Sequence, residues 1–264
     1  MYTNNDHIFT ICAYKESPYL EECIKSLETQ TVEANIIIET STPNDYINSL
    51  ASKYNIEVIV NKDGGLAKDW NYAYDNVNKK LVTIAHQDDI YEPNYLENIL
   101  EYANNSINPI VIFTDYYEIR NNEKVSKNLN LNIKRIMNRP YLKQKNQLNK
   151  KVRQRILSFG DSISCPTVTL VKEACGKSPY NTDFKCSVDY KTWSELSNKE
   201  GSFVYVPKLL MGHRIYREST TTKSLENNIR QTEDASIMAL YWPKPIAKLL
   251  YKIYSNSEKS NNIK

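Results

Sequence analysis

Glycine is scarce in this chain. Only six occur, Gly64, Gly65, Gly160, Gly176, Gly201 and Gly212. Neither GxGxxG nor GxxxxGK[ST] can be drawn from them, so the glycine-rich phosphate cradles of dinucleotide-binding sheets and P-loops are excluded. A nucleotide bound here must have its phosphates held another way. The five cysteines are odd in number, widely scattered and form no CxxC pair. That argues against a zinc site and a disulfide framework, and suits a reducing compartment. No apolar run approaches the roughly 18 residues that span a bilayer. Residues 1–6 (MYTNND) lack the basic and apolar regions of a secretory signal. The expected setting is therefore the cytoplasm.

What is present is enough for one large domain or two small ones: 264 residues, 41% of them hydrophobic. The net charge of +3 hides an asymmetry. Between Arg120 and Arg155 lie twelve Lys or Arg and one acid, Glu123, a local +11 that leaves the remainder near −8.

The first hundred residues alternate strand and helix patterns. Ile8 to Ala13, Ile36 to Ile38, Glu57 to Val60 and Leu81 to Ala85 read as short apolar strands. Helical spacing follows each: Leu20, Cys23, Ile24 and Leu27 after Ser17-Pro18, then Pro43 to Tyr54, Leu66 to Asn78, and a helix opening at Pro93. Apolar strands separated by helices imply a parallel sheet covered on both faces. Ligands of such sheets bind beyond the carboxyl ends of the strands. There the sequence places Tyr14, Lys15 and Glu16; Glu39, Thr40 and Ser41; Asn61, Lys62 and Asp63; and His86, Asp88 and Asp89. The second half is less regular. It has a strand at Pro109–Phe113, a basic helical stretch to about Ser158, strand character over 164–171, and a helix entered from Cys186 through Trp193.

Two adjacent carboxylates on a ligand-binding rim repel each other unless a cation or donor groups offset them. A hard divalent ion, Mn2+ or Mg2+, takes oxygen ligands, often one or two carboxylates plus substrate phosphates. Asp88 and Asp89 could hold such an ion, which with Lys15 or Lys68 would neutralise a diphosphate that no glycine loop cradles. The plainer reading is that the pair caps the helix opening near Pro93.

Three stretches tip the balance: FTICAYKESPYLEECIKSLETQT (9–31), NKDGGLAKDWNYAYDNVNKKLVTIAHQDDIYEPNYLENIL (61–100) and CSVDYKTWSELSNKEGSFVYVPKLLMGHRIYREST (186–220). In order and spacing they resemble the family-2 glycosyltransferases, inverting enzymes of the GT-A fold, over about residues 8–222. The resemblance implies an α/β fold, a GT-A Rossmann-like, mostly parallel sheet flanked by helices, with a helical C-terminal extension. It also implies roles. Ala13, Tyr14 and Glu16 match the first nucleotide-binding loop, and Glu39 replaces the usual Asp that contacts the base. Asn71 matches the Asn of an Arg-Asn pair whose Arg position holds Trp70, so Lys68 becomes the substitute charge. In the Asp-x-Asp-Asp pattern the first Asp is His86; Asp88, also a donor contact, and Asp89 match the metal-binding acids. Asp189 matches the general base, for which the plainer reading is a helix N-cap. His213 and Arg214 match a His-Arg stretch near metal and diphosphate, His213 and His86 being further metal candidates and Tyr216 replacing a second His. Trp70 and Trp193 are expected in the core.

The basic block could face anionic lipid or nucleic acid, or be a solvated helical face. In YWPKPIAKLLYKIY (241–254), Ile246, Leu249, Leu250 and Ile253 share one side of a helix, and Lys244, Lys248 and Lys252 recur every four residues. This pattern suits an interfacial helix or one packed on the domain. The last ten residues are expected to be disordered. The expected organisation is a catalytic domain over 1–222, its nucleotide-binding half about 1–118 and acceptor-side half about 119–222, then a helical tail over 223–264. The expected function is a metal-dependent inverting glycosyltransferase (a hexosyltransferase type, EC 2.4) using a UDP- or dTDP-sugar and a glycan or lipid-linked acceptor, in bacterial surface polysaccharide synthesis at the inner face of the membrane. Nucleic acid is not favoured as a partner. Two alternatives stand beside it. One is a non-catalytic relative binding nucleotide or polyanion. The other is a sugar nucleotidyltransferase, which would need a glycine-rich loop where this chain has AYKESPYL.

Overall fold

The computed structural model describes residues 1–216 and 229–258. Nine strands form one sheet: β1 (His7–Ala13), β2 (Ile36–Thr40), β3 (Glu57–Val60), β4 (Leu81–His86), β5 (Ile90–Tyr91), β6 (Pro109–Arg120), β7 (Glu123–Val125), β8 (Val168–Val171) and β9 (Ser202–Ile215). Their order is β3-β2-β1-β4-β8-β6-β9-β5, with β7 added to β6. The helices α1 (Leu20–Glu28), α2 (Asp45–Lys53), α3 (Leu66–Asp75) and α4 (Tyr95–Asn104) follow the early strands; α5 (Leu129–Asn138), α6 (Gln144–Gln147), α7 (Lys150–Leu157), α8 (Lys172–Cys175) and α9 (Val188–Leu196) belong to the second half.

The early alternation arises as the sequence predicts. Leu20, Cys23, Ile24 and Leu27 of α1 are completely buried against the sheet. Each large aliphatic of that stripe contributes roughly 1.5–3 kcal/mol by leaving water, so an acid at Ile24 would detach the helix. The helix starts two residues after Pro18 because Ser17 and Pro18 form a turn, with Leu20 N–H donating to the Ser17 carbonyl at 3.2 Å. Asn44 caps α2, its side-chain oxygen accepting from Ile47 N–H at 2.9 Å. One apolar cluster fills each face of the sheet.

Strands β3, β2, β1 and β4 are parallel. The second half is mixed. β8 runs antiparallel to both β4 and β6, and β7 folds back on β6 through Asn121 and Asn122, both left-handed at φ 51° and 63°. Such a two-residue turn makes a hairpin. β6 and β9 pair in parallel along most of their length, with register shifts near Thr114–Tyr116. One further pairing matters for the site: β5 meets β9 at Ile90–Gly212, which lays Asp88 and Asp89 beside His213 and Arg214.

The basic stretch is not one solvated face. Arg135 binds Asp115 at 2.6 Å and two backbone carbonyls, Arg153 is fully buried and donates to the Gly201 and Lys199 carbonyls, and Arg120 pairs with Glu118. The last two helices, Ile229–Met238 and Lys244–Glu258, pack on the domain through Ile237, Met238, Ala247 and Tyr251. That changes the reading of the final helix. Its buried side carries Ala247 and Tyr251 with Leu250 partly covered, whereas Ile246 and Leu249 are exposed. The small Ala247 permits the close approach, and the apolar side inferred from spacing is divided between core and solvent; the Ile253 side chain lies outside the described residues. Ser255–Glu258 continue the helix, and the rest of the segment expected to be disordered lies outside the described residues, as does the 222/223 boundary. No described helix is long and apolar enough to cross a membrane.

Candidate active site

At the carboxyl ends of β1, β2 and β4 lies a cavity of about 470 Å³. Ala13, Tyr14, Glu39, His86, Asp88, Asp189 and His213 line it, together with Trp70, Gln87, Asp69, Tyr216 and Arg230. Residues predicted from three separate stretches are thus brought together. Glu16 and Lys68 are exposed and do not line the cavity.

The two neighbouring carboxylates are treated differently by the fold. Asp89 is completely buried. Its Oδ1 accepts from the Arg214 N–H at 2.9 Å and lies 3.0 Å from His213 Nδ1, while the His86 Nδ1 is 3.8 Å from Oδ2. Burial alone would raise its pKa, but the charge and hydrogen bond of His213, then His86 and the Arg214 N–H, outweigh that and hold it below the ordinary carboxylate value. Burial likewise opposes charge on His213, and Asp89 overcomes it and raises that imidazole's pKa. Asp88 is half-buried and lines the cavity. Burial, then the charge of Asp89, push its carboxyl up, while a hydrogen bond from Tyr216 acts the other way. Asp88 is the member of the pair that gains from a cation.

His86 stacks on Trp70, ring centroids 5.3 Å apart. Its Nε2 is buried with no hydrogen-bond partner among the described residues. Ligand atoms of His86, Asp88 and Asp89 lie within 4.8 Å of one another. An imidazole with a ligand atom in the same cluster as a carboxyl destabilised by its neighbour is a donor set that fits a divalent ion. Asp88 and His86 would hold it, with Asp89 fixing the surroundings.

Asp189 stands in the first turn of α9, whose N-cap is Ser187. It therefore does not cap the helix; its Oδ1 accepts the adjacent Tyr190 N–H, at 2.9 Å. Glu39 is 1% exposed, and its Oε1 has no hydrogen-bond partner among the described residues. Burial, then the charge of Asp69, lift its pKa to about 8. Asp69 itself ties the strand ends together, accepting from Ser41 Oγ, Asn61 Nδ2 and Gly65 N–H at 3.0, 2.8 and 3.2 Å. Gln87 joins the β4 end to the β1 end through both its amide groups and the Tyr14 backbone.

Two predicted residues are engaged elsewhere. The Asn71 amide is spent on Tyr180, donating to its carbonyl at 2.7 Å and accepting its N–H at 2.9 Å. Arg214 is 4% exposed; its guanidinium binds Glu22 at 2.5 Å, the Asp88 carbonyl at 3.0 Å and Asn122, above the Tyr19 ring. It braces the acidic turn from behind. Trp193 is core, as expected, whereas Trp70 is buried yet forms part of the cavity wall. Arg230, Gln87 and Asp69 carried no signal in the sequence, because their place in the cavity depends on how distant segments pack.

A family model described as Glycosyl transferase family 2 matches residues 9–173. A search of curated proteins finds no match. Among solved structures, S. aureus TarS 1-349 in complex with UDP-GlcNAc aligns with a TM-score of 0.60 at 15% identity, over 97% of this chain and 73% of that one. The mannosyltransferase PcManGT from Pyrobaculum calidifontis, in complex with GDP-Man and Mn2+, gives 0.61 at 11%, over 98% and 76%. A longer S. aureus TarS chain gives 0.55 at 16%; 81% of this chain aligns, spanning 37% of that chain's length. At these identities the likeness speaks for the fold.

Proposed function

The chain belongs to glycosyl transferase family 2 and is a glycosyltransferase of the GT-A fold, and on that premise we propose that it moves a sugar, with inversion, from a UDP- or dTDP-sugar to a hydroxyl of a glycan or lipid-linked acceptor. The observation that carries this reading is the joint presence of Asp88, His86, Glu39 and Asp189 in one cavity. Glu39 supports the choice of base. Held neutral to about pH 8, its carboxyl offers one donor and one acceptor, the complement of the N3–H and O4 edge of uracil or thymine. Guanine, with two adjacent donors on that edge, would call for a carboxylate. Asp189 is the general base, taking the proton of the acceptor hydroxyl as it attacks the anomeric carbon. Attack opposite the departing diphosphate inverts the centre. A divalent ion, Mn2+ or Mg2+, held by Asp88 and His86 would offset the charge developing on that diphosphate. We read 1–222 as the catalytic domain, nucleotide side first, and 223–264 as its extension.

The acceptor side supports membrane contact. No acid occurs between Glu123 and Asp161 or between Asp234 and Glu258. The fold packs these two segments together, Trp242 lying against Phe159 and Arg155. They expose Ile136, Phe159, Leu240, Ile246 and Leu249 among lysines and arginines, a combination suited to an anionic lipid surface. The setting we infer is the inner face of a cell membrane during bacterial surface polysaccharide synthesis. Vesicles containing phosphatidylglycerol should co-sediment the protein and neutral vesicles should not; an Ile246→Ser, Leu249→Ser variant that still sediments would refute the contact.

The reaction reading is tested by calorimetric titration of uridine and thymidine diphosphates, with and without Mn2+, into wild type and Asp88→Ala. Metal-dependent binding lost in the variant is expected. Failure of wild type to bind these and guanosine diphosphate would sink the assignment.

A further inference from the structure

The helix Ile229–Met238 returns over the cavity, and its Glu233 makes an unusual connection. One carboxylate accepts three successive backbone N–H groups, those of Lys185 at 2.8 Å, Cys186 at 2.9 Å and Ser187 at 2.8 Å. These residues lead directly into α9. The first N–H groups of a helix have no partner within it, and Ser187 at the N-cap supplies no side-chain bond. Glu233 therefore satisfies, from a distant helix, the N–H of the N-cap residue and those of the two residues before it, with a charge suited to a helix N-terminus. Further along the chain, Tyr241 and Ser194 of α9 share a hydroxyl hydrogen bond at 2.7 Å, and Ile237 and Met238 enter the core. The helix is thereby fixed against α9 at several points.

Arg230 lies one turn before Glu233 and lines the cavity with Asp88 and Asp189. Its Nε lies 3.6 Å from Oδ2 of the buried Asp234, four residues on in the same helix. Among the described lining residues Arg230 is the single Lys or Arg, against the carboxyl groups of Asp69, Asp88 and Asp189 and the protonated Glu39. A nucleoside diphosphate adds more negative charge to this cavity than one divalent ion removes. Planar, permanently charged guanidinium is suited to the remainder, since it can donate two hydrogen bonds to a phosphate.

We infer that the helix Ile229–Met238 completes the donor site: Arg230 contacts the diphosphate of the nucleotide, and Glu233 is a positioning residue that holds Arg230's helix against the loop entering α9. This rests on the glycosyl-transfer reading above, and it assigns the diphosphate's cation to the C-terminal extension rather than to Lys68 or Arg214.

The test compares uridine diphosphate with uridine, in Mn2+, by calorimetry and ligand-observed NMR. Arg230→Gln should weaken uridine diphosphate at least tenfold and leave uridine within twofold. Arg230→Lys should recover part of the loss. Glu233→Ala should reproduce the selective loss, and Glu233→Gln, which keeps one acceptor oxygen, should soften it; a merely structural role would weaken both ligands together. Equal binding of uridine diphosphate by wild type and Arg230→Gln overturns this inference alone. Parallel loss of both ligands in Glu233→Ala overturns the positioning role. If wild type binds no nucleoside diphosphate, the donor-site reading falls and takes this one with it.

Discussion

Replacing Glu39 by glutamine should reverse part of the protein's pH dependence of stability. The carboxyl is almost wholly enclosed and its pKa is raised from 4.5 to about 8, by burial first and then by the charge of Asp69. Between those values the native protein keeps a proton that the unfolded chain releases. Native Glu39 thus binds more protons, and stability must fall as pH rises through this window. The slope is about 1.4 kcal/mol per pH unit. From pH 5.5 to 7.5 the loss is therefore roughly 3 kcal/mol, and it stops growing above about pH 8. Glutamine has nothing to titrate, so the variant should gain on wild type by this amount over the same interval. Urea unfolding at pH 5.5, 6.5 and 7.5, analysed with a common m-value, measures the difference directly. Parallel stability curves for the two proteins would refute the claim that Glu39 is protonated in the native state. Donor recognition should follow the same titration: uridine diphosphate affinity should fall above pH 8 in wild type and stay level in the variant, whose amide keeps a donor and an acceptor.

Other perturbations have outcomes fixed by single contacts. Asp89→Asn removes the buried charge that His213 and the Arg214 N–H surround, and should cost about 3 kcal/mol in urea unfolding, the magnitude expected for breaking a buried pair. Asn71→Ala leaves the Tyr180 N–H and carbonyl without their partners; a loss of about 2 kcal/mol is expected, with faster amide exchange around residue 180. A Cβ at Gly212 would lie 2.6 Å from the Tyr117 ring. Gly212→Ala should therefore lose about 1–3 kcal/mol by overpacking and weaken nucleotide binding through the adjacent His213, which calorimetry would detect.

The first half of the fold was legible because its signals are local. The stripe Leu20, Cys23, Ile24 and Leu27 lies within one helix, and each strand of β1 to β4 is a short apolar run. The second half depends on pairings between distant segments. Nothing in Val168–Val171 says that it inserts antiparallel between β4 and β6; that position is decided by which edges remain open once the rest has paired. Charge was misleading for a similar reason. Arg135 and Arg153 count toward the basic block in sequence, yet both serve as long donors to backbone carbonyls. Only tertiary contact distinguishes a guanidinium that satisfies carbonyls from one that faces a ligand.

The site divides along the same line. Asp88, Asp89 and Asp189 were visible because strand-end acids and a helix-entry acid have positions a sequence can encode. Which acid does what was not visible, since that depends on what β5 is zipped to. Two residues of pairing, Ile90 with Gly212 and Tyr91 with Met211, bring the Arg214 N–H and the His213 imidazole onto Asp89 and leave Asp88 to line the cavity. The short edge strand thus divides a symmetric-looking acid pair into a buried anchor and a cavity-lining group. Arg214 follows from the same arrangement: two residues past β5's partner positions, it is drawn under the acidic turn, where Glu22 and the Asp88 carbonyl occupy it. With that cation committed, the charge facing the cavity has to come from elsewhere in the chain, and Arg230 is where the described structure supplies it.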